Sequence, residues 1–124
     1  MCVQGTFPLK TWPREYFIET IQRLNGKYNA GFFITGAPED KEYVNSIIKE
    51  SNVKVANFCG KTSLVDLVTL YKKTDLFVTV DTGAAHIAAT TGVPMVVMYG
   101  CTSPKRWHPI NENSRVITTN QTCC

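Results

Sequence analysis

The segment with the clearest chemical potential is Asp81-Thr82-Gly83-Ala84-Ala85-His86, which places a carboxylate, a hydroxyl and an imidazole around a glycine. Gly83 lets backbone approach a ligand closely, and the free amides at a helix start can hold a phosphate. His86 lies roughly one helical turn beyond Gly83, so both can reach one ligand. The alternative is that Asp81 only caps the helix and that His86 is a packed helix residue. The functional interpretation is favoured because these residue types occur together where a strand passes into a helix.

Two further loops follow strand-like runs and are expected to open on the same edge of the sheet. In residues 5–13, Lys10 can pair with a phosphate and Thr6 can add a hydroxyl, although a solvated loop lysine is the ordinary alternative. In residues 36–40, Asp40 or Glu39 can accept hydrogen bonds from a ribose. Stabilisation of a helix start explains these two carboxylates almost as well.

Residues 100–109 form a secondary candidate, because they bring two cations, an indole and an imidazole towards that edge. Thr102 or Ser103 can bind a phosphate or a sugar there. The same two residues can equally cap a short helix that has Pro104 at its first position.

The elements that position these loops follow from the hydrophobic pattern, which alternates short strand-like runs with longer helix-like runs. The strand-like runs are 2–7, 30–35, 53–58, 75–80, 94–99 and 115–118. Helix-like runs follow Pro13, Gly36 and Ser63. The residues of the third helix that are predicted to face inward are Leu64, Leu67, Val68 and Tyr71. This alternation predicts an α/β fold, a Rossmann-like parallel sheet flanked by helices. It excludes the aspartic proteases, which also carry Asp-Thr-Gly but have all-β folds.

Composition narrows the class of protein. A chain of 124 residues has the size of one domain, and a dispersed net charge of +3 does not predict nucleic-acid binding. The longest apolar run, residues 93–99, is far shorter than the roughly 20 residues that cross a bilayer. The first residues lack the pattern of a secretory signal, so we expect a cytoplasmic location.

The five cysteines have no C-x-x-C spacing, which argues against a disulfide framework or a zinc ribbon and favours reduced thiols. The alternative for Cys123 and Cys124 is half of a metal or redox pair that residues beyond the sequence complete. No metal site is predicted.

Five motifs, in this order, resemble those of the bacterial heptosyltransferases of lipopolysaccharide synthesis, glycosyltransferase family 9. They are Lys10-x-Trp12-Pro13, Gly36-Ala37-Pro38, Gly60-Lys61-Thr62-Ser63-Leu64, Asp81-Thr82-Gly83-x-x-His86 and Gly100-x-Thr102-x-Pro104. The resemblance runs from about residue 5 to residue 106. It implies a two-domain GT-B enzyme in which residues 1–124 are a single nucleotide-sugar-binding domain, the C-terminal half, with the N-terminal half absent from this sequence.

The resemblance also implies an inverting, metal-independent and cofactor-free transfer of heptose from ADP-heptose to the lipopolysaccharide inner core. Thr82 and Gly83 would hold the diphosphate, and Lys10 with Thr6 would face the diphosphate as it leaves. The donor-binding residues implied are Thr6, Lys10, Asp40 (less well supported, Glu39), Asp81, Thr82, Gly83 and His86.

In the resemblance, Asp81 and His86 would contact the donor sugar or phosphate and Asp40 the ribose. The catalytic base would lie in the N-terminal half, so the catalytic residues of this sequence are unknown and the isolated domain should transfer nothing. The acceptor implies a peripheral place at the inner face of the inner membrane.

Two other functions stay open at this point. A nucleotide-sugar epimerase of the same two-domain shape would carry further carboxylates, and a non-catalytic nucleotide-binding module would lack the second domain. One departure from the family's pattern is Gly5, where some relatives carry a second hydroxyl residue.

Overall fold

The computed structural model describes residues 1–5 and 8–118, so the predictions for Thr6, Cys123 and Cys124 lie outside the described residues. The helices are α1 Arg14–Lys27, α2 Lys41–Ser51, α3 Leu64–Lys72, α4 Gly83–Ala89 and α5 Pro104–Trp107. The strands are β1 Phe32–Ile34, β2 Val55–Asn57, β3 Phe77–Val80, β4 Met95–Tyr99 and β5 Ser114–Thr118. Short 3-10 helices cover Pro8–Lys10 and Pro38–Asp40. In the described part of the chain, no helix combines the length and the apolar character needed to cross a membrane.

The sheet is parallel and its strand order is that of a doubly wound fold. β1 pairs with β2, and β4 lies between β3 and β5. Residues 1–3 join the two groups, because the Cys2 amide donates to the Val78 carbonyl at 3.0 Å and the Thr35 amide donates to the Met1 carbonyl at 2.9 Å. When residues 1–3 are counted as the first strand and β1 to β5 as the second to the sixth, the spatial order is 3-2-1-4-5-6. This order confirms the predicted Rossmann-like sheet.

Alternation along the strands builds one core on each face of the sheet. Val78 and Val80 of β3 pack with the apolar stripes of α1 and α2. Phe77 packs on the other face, with Tyr71 of α3 and the alanines of α4. Every residue of β3 is buried, so this strand is central and covered on both faces, as its near-continuous apolar run predicts.

Interactions between residues that are close in the sequence determine where the helices begin and end. Ser63 caps α3 as predicted: its hydroxyl accepts from the Asp66 amide at 3.1 Å, and the Asp66 carboxylate accepts from the Ser63 amide at 2.9 Å. The hydrogen bond from the Ser63 amide to the ionised carboxylate is the main cause that lowers the pKa of Asp66, and the Ser63 side chain adds to it. α2 ends at Asn52, which adopts the left-handed conformation at φ 55°.

Three local predictions are corrected. Leu64 does not face inward but is 69% exposed, because α3 packs through Leu67 and Tyr71, one and two turns further on. Glu39 and Asp40 lie in the 3-10 turn before α2 rather than in its first turn. The first predicted strand is reduced in the described residues to one bridge between Cys2 and Thr79.

Candidate functional site

Asp81 leaves β3 at the point where the strand order reverses, and its carboxylate joins three distant parts of the chain. The side chain is buried, with only 5% of the residue exposed. Its Oδ2 atom lies 3.2 Å from Lys10 Nζ and accepts a hydrogen bond of 2.6 Å from Thr102 Oγ1. In doubly wound sheets the ligand crevice lies at this reversal, outside the carboxyl ends of the strands. We call Lys10, Asp81 and Thr102 the switch-point cluster.

The charges of the switch-point cluster explain its geometry. A buried carboxylate is costly without partners, and here a cation and a hydroxyl supply them. The Lys10 side chain is 19% exposed, so its ammonium group lies near the surface of the crevice. An ammonium group has three N–H donors, so Lys10 can contact an anion while it stays paired with Asp81.

The start of α4 is capped by Thr82 and not by Asp81, so the interpretation of Asp81 as a simple cap is wrong. Thr82 Oγ1 accepts from the Ala84 amide at 3.0 Å. This bond uses the Ala84 amide, and an anion at the helix start would therefore meet the amides of Thr82 and Gly83. Gly83 is exposed, and an added Cβ would have no atom of the described residues within 4 Å. The surface over Gly83 is open to a ligand.

His86 lies on the solvent side of α4. The buried residues of this helix are Ala85, Ala88 and Ala89, whereas His86 is exposed. The interpretation of His86 as a packed helix residue is therefore wrong. The structure keeps it one helical turn from Gly83, on the helix that begins at the crevice.

Two glycines allow the turn that carries Lys10 to pack closely against the neighbouring backbone. A Cβ added at Gly5 would lie 2.6 Å from Lys10 Cβ, and one added at Gly100 would lie 2.6 Å from the Leu9 carbonyl oxygen. Both distances are shorter than any normal contact, so only glycine lets the turn approach this closely. The departure at Gly5 thus has a steric reason in this chain.

Asp40 ends the 3-10 turn that follows β1, and it caps that turn. Its Oδ2 atom accepts from the Ala37 amide at 3.0 Å, which is the local role that the sequence left open. The turn is held by Gly60, at φ +72°, where an added Cβ would lie 2.9 Å from Pro38 Cα. Glu39 is exposed. The structure does not bring either carboxylate into the switch-point cluster.

Thr102 is the residue that sequence reasoning underrated. A hydroxyl two residues before Pro104 is equally typical of a helix cap, so the sequence alone gave no reason to separate Thr102 from Ser103. The structure separates them, because Ser103 precedes α5 without a side-chain cap and Thr102 donates to Asp81. The Gly100-x-Thr102 motif was the available signal.

A cleft of about 230 Å³ opens beside Lys10 on the face of the sheet that α1 covers. Trp12, Met98 and Ile117 are among its walls, which are mainly apolar. Such walls suit an apolar group better than a charged one.

The cysteines of the described residues are free thiols, with Cys2 and Cys59 buried and Cys101 partly buried. Burial and then the nearby charge of Asp40 raise the pKa of Cys59 to about 11, so this thiol stays protonated at neutral pH. Within residues 1–5 and 8–118, no three His, Cys, Asp or Glu side chains cluster as metal ligands would.

The fold and the switch-point cluster together define a doubly wound α/β domain of the kind that binds nucleotides. Comparisons with known proteins narrow this class. The family model of glycosyltransferase family 9 (heptosyltransferase) matches residues 1–124. The chain is 33% identical to lipopolysaccharide heptosyltransferase 2 of Salmonella typhimurium over 115 residues, which are 89% of this chain and 32% of that protein.

Comparison with solved structures points to the same family. The structure of E. coli ADP-heptose lps heptosyltransferase II is similar with a TM-score of 0.88 and 29% identity, over 98% of this chain and 38% of that chain. E. coli heptosyltransferase WaaC with ADP is similar with a TM-score of 0.86 and 25% identity, over 95% of this chain and 36% of that chain. The chain belongs to glycosyltransferase family 9, the heptosyltransferase family. It spans about a third of the length of the curated relatives that it matches.

Proposed function

We propose that residues 1–124 form one nucleotide-sugar-binding domain, the C-terminal half of a longer GT-B transferase that moves heptose from ADP-heptose to the lipopolysaccharide inner core. The observation that carries the proposal is the switch-point cluster, in a chain of the heptosyltransferase family. A related E. coli heptosyltransferase was solved with ADP, which supports ADP as the nucleotide.

The diphosphate of the donor binds to Lys10 and to the amides of Thr82 and Gly83. Asp81 orients Lys10 rather than touching phosphate, because two anions side by side repel each other. Thr6 lies outside the described residues, and the resemblance implies that it faces the leaving diphosphate together with Lys10. His86, on the exposed side of α4, contacts the donor sugar or a phosphate.

Transfer forms one bond and breaks one. The acceptor oxygen attacks the anomeric carbon on the side opposite the diphosphate, the bond from that carbon to the phosphate oxygen breaks, and configuration inverts. ADP leaves with the electron pair, and the acceptor proton passes to a base in the N-terminal half. Lys10 and the helix-start amides stabilise the negative charge that develops on ADP, so the proposed reaction needs neither a metal nor a cofactor.

Asp40 is the proposed ribose ligand, ahead of Glu39. Its supporting observation is the 3.0 Å bond from the Ala37 amide, which fixes one carboxylate oxygen at the carboxyl end of β1. A carboxylate accepts through both oxygens, so the second can take a ribose hydroxyl.

The acceptor binds through the N-terminal half, so the isolated domain transfers nothing. Since the acceptor belongs to a membrane lipid, we place the whole protein in the cytoplasm, at the inner face of the inner membrane, and expect no nucleic-acid partner. Family membership favours the transferase over the epimerase and over the non-catalytic module.

The test is nucleotide binding by the protein as its gene encodes it. ADP, UDP and GDP are titrated by calorimetry into wild type, Lys10→Ala and Asp81→Asn. Lys73→Ala removes an exposed lysine at the end of α3 and is the matched control. We expect ADP to bind tightest and both cluster variants to lose about tenfold or more in affinity, which corresponds to about 1.4 kcal/mol.

An equal loss in Lys73→Ala, or no nucleotide binding at all, contradicts the proposal. Incubation with ADP-heptose alone separates the epimerase, because only an epimerase converts the nucleotide-sugar without an acceptor.

A further inference from the structure

The connection between β4 and β5 is held by a chain of side-chain hydrogen bonds that runs through His108. The Tyr99 hydroxyl lies 3.2 Å from His108 Nδ1, and His108 Nε2 lies 2.6 Å from Ser114 Oγ. Tyr99 is the last residue of β4 and Ser114 the first of β5. One imidazole thus joins the end of one strand to the start of the next.

The proton positions in this chain follow from the hydroxyl of Ser114. Ser114 Oγ donates its one proton to the Asn111 carbonyl at 2.7 Å, so towards His108 it can only accept. His108 Nε2 must then carry a proton, and in the neutral ring Nδ1 accepts from the Tyr99 hydroxyl. All the hydrogen bonds therefore point one way, from Tyr99 towards Asn111.

Tyr99 is suited to donate the hydrogen bond to His108. The residue is buried, with 2% exposed, and burial followed by the charge of Asp81 raises the pKa of Tyr99 to about 12. Its hydroxyl therefore keeps its proton at any physiological pH.

The rest of the connection is pinned at both ends. At its far end, Asn111 Nδ2 donates to the Val93 carbonyl at 2.9 Å, and the Met95 amide donates to the Asn113 carbonyl at 3.1 Å. At its near end, Thr102 donates to Asp81 in the switch-point cluster. Between them, α5 ends where the His108 amide donates to the Pro104 carbonyl at 2.9 Å.

We infer that His108 is a positioning residue: by clamping the β4–β5 connection between Tyr99 and Ser114, it fixes the place of Thr102 and therefore the hydrogen bond that orients Asp81. In this role His108 acts through Tyr99 and Ser114, which its two ring nitrogens contact. The effect on donor binding rests on the proposed function, whereas the placement of Thr102 does not.

The first measurement is of the protein without ligand, by NMR. Two-bond couplings between imidazole nitrogens and ring protons report the tautomer, with the exposed His86 as the internal comparison. We expect His108 to be the neutral tautomer with its proton on Nε2, and a proton on Nδ1 alone would overturn the inference.

The second measurement follows the Thr102 methyl group, whose order parameter and three-bond couplings report whether its side chain holds one rotamer. Tyr99→Phe removes only a hydroxyl, His108→Phe removes both ring contacts, and Tyr16→Phe, at an exposed tyrosine, is the matched control. In the clamp variants Tyr99→Phe and His108→Phe, the Thr102 side chain should exchange between rotamers. In Tyr16→Phe it should keep one rotamer. A single rotamer in folded Tyr99→Phe overturns the inference even if His108→Phe fails to fold.

Donor affinity is measured last, with ADP as the probe. We expect about a threefold to tenfold weaker Kd in Tyr99→Phe and no change in Tyr16→Phe. If wild type binds no ADP, the proposed function fails while the rotamer result still decides the role of His108. If wild type binds ADP and the Thr102 rotamer is unaffected by the clamp variants, the positioning role alone fails.

Discussion

Two aspartates follow two strands of the same sheet, Asp81 directly after β3 and Asp40 in the 3-10 turn that comes after β1, and their surroundings differ. Asp81, after β3, is buried and binds Lys10 and Thr102 from distant parts of the chain. Asp40, after β1, is half-buried and caps a turn three residues long through the Ala37 amide. The reversal of strand order explains the difference, because only at that point do neighbouring loops diverge and leave a crevice between them. Position in the topology, rather than residue type, makes one carboxylate the centre of a site.

The largest expected effect is that of Asp81→Asn, which removes the buried carboxylate charge that pairs with Lys10. Removing one partner of a largely buried pair should lower the free energy of unfolding by about 3 kcal/mol. Asp40→Asn should cost under about 1 kcal/mol, since it only weakens a cap. Urea denaturation of both variants measures the contrast, and equal losses would remove the distinction between the two aspartates.

Gly100→Ala comes next. Its added methyl would lie 2.6 Å from the Leu9 carbonyl oxygen, so the turn carrying Lys10 must shift, at a cost of about 2 kcal/mol. Gly83→Ala is the matched control, because nothing lies within 4 Å of its added methyl. We expect Gly83→Ala to change stability by less than about 1 kcal/mol yet to weaken ADP binding, since the methyl covers the helix start.

Unfolding curves and ADP titrations of the two glycine variants separate these effects. A clear stability loss in Gly83→Ala would contradict the open space at this position, and unchanged ADP binding in it would show that the donor does not approach α4 at this point.

Thr102→Val should have a smaller effect. It removes one hydrogen bond to the Asp81 carboxylate at nearly constant volume, which should cost about 1.5 kcal/mol of unfolding free energy. Thr69→Val, at an exposed threonine of α3, is the control and should change stability by under about 0.5 kcal/mol. Identical curves for the two variants would mean that Thr102 does not support Asp81.

The smallest effect belongs to a cap that involves no distant residue. The Ser63 hydrogen bonds hold the pKa of Asp66 below its usual 3.8, so their contribution is present above that pH and is lost as pH falls through the lower folded pKa. Ser63→Ala removes the hydroxyl but keeps the Ser63 amide, whose hydrogen bond is the larger cause, so the pKa of Asp66 should move only part of the way towards 3.8, as followed by carboxyl carbon shifts. Thr69→Ala should leave that titration where it is, and an unmoved Asp66 in Ser63→Ala would rule out the contribution of the Ser63 hydroxyl.

Much of the fold was predictable because its causes are local. Apolar residues three to four positions apart predicted α1 and α2, and Ser63 marked the start of α3. The prediction for Leu64 was wrong because periodicity identifies an apolar stripe but not how far along the helix its partner extends. Thr102 was underrated for a related reason, since a hydroxyl near a proline is consistent with both a cap and a long-range bond.

The sequence by itself determined the parallel α/β class, the order of the helices and strands, and the segment that begins at Asp81 as the best candidate for a binding site. Only the tertiary structure decided that Lys10 and Thr102 share one oxygen of Asp81, that Thr82 takes the capping role, and that His108 joins Tyr99 to Ser114. The physical reason is the distance along the chain between the residues that interact. Turns, caps and helices depend on residues a few positions apart, whereas a buried carboxylate draws its partners from whatever segments the sheet order brings beside it.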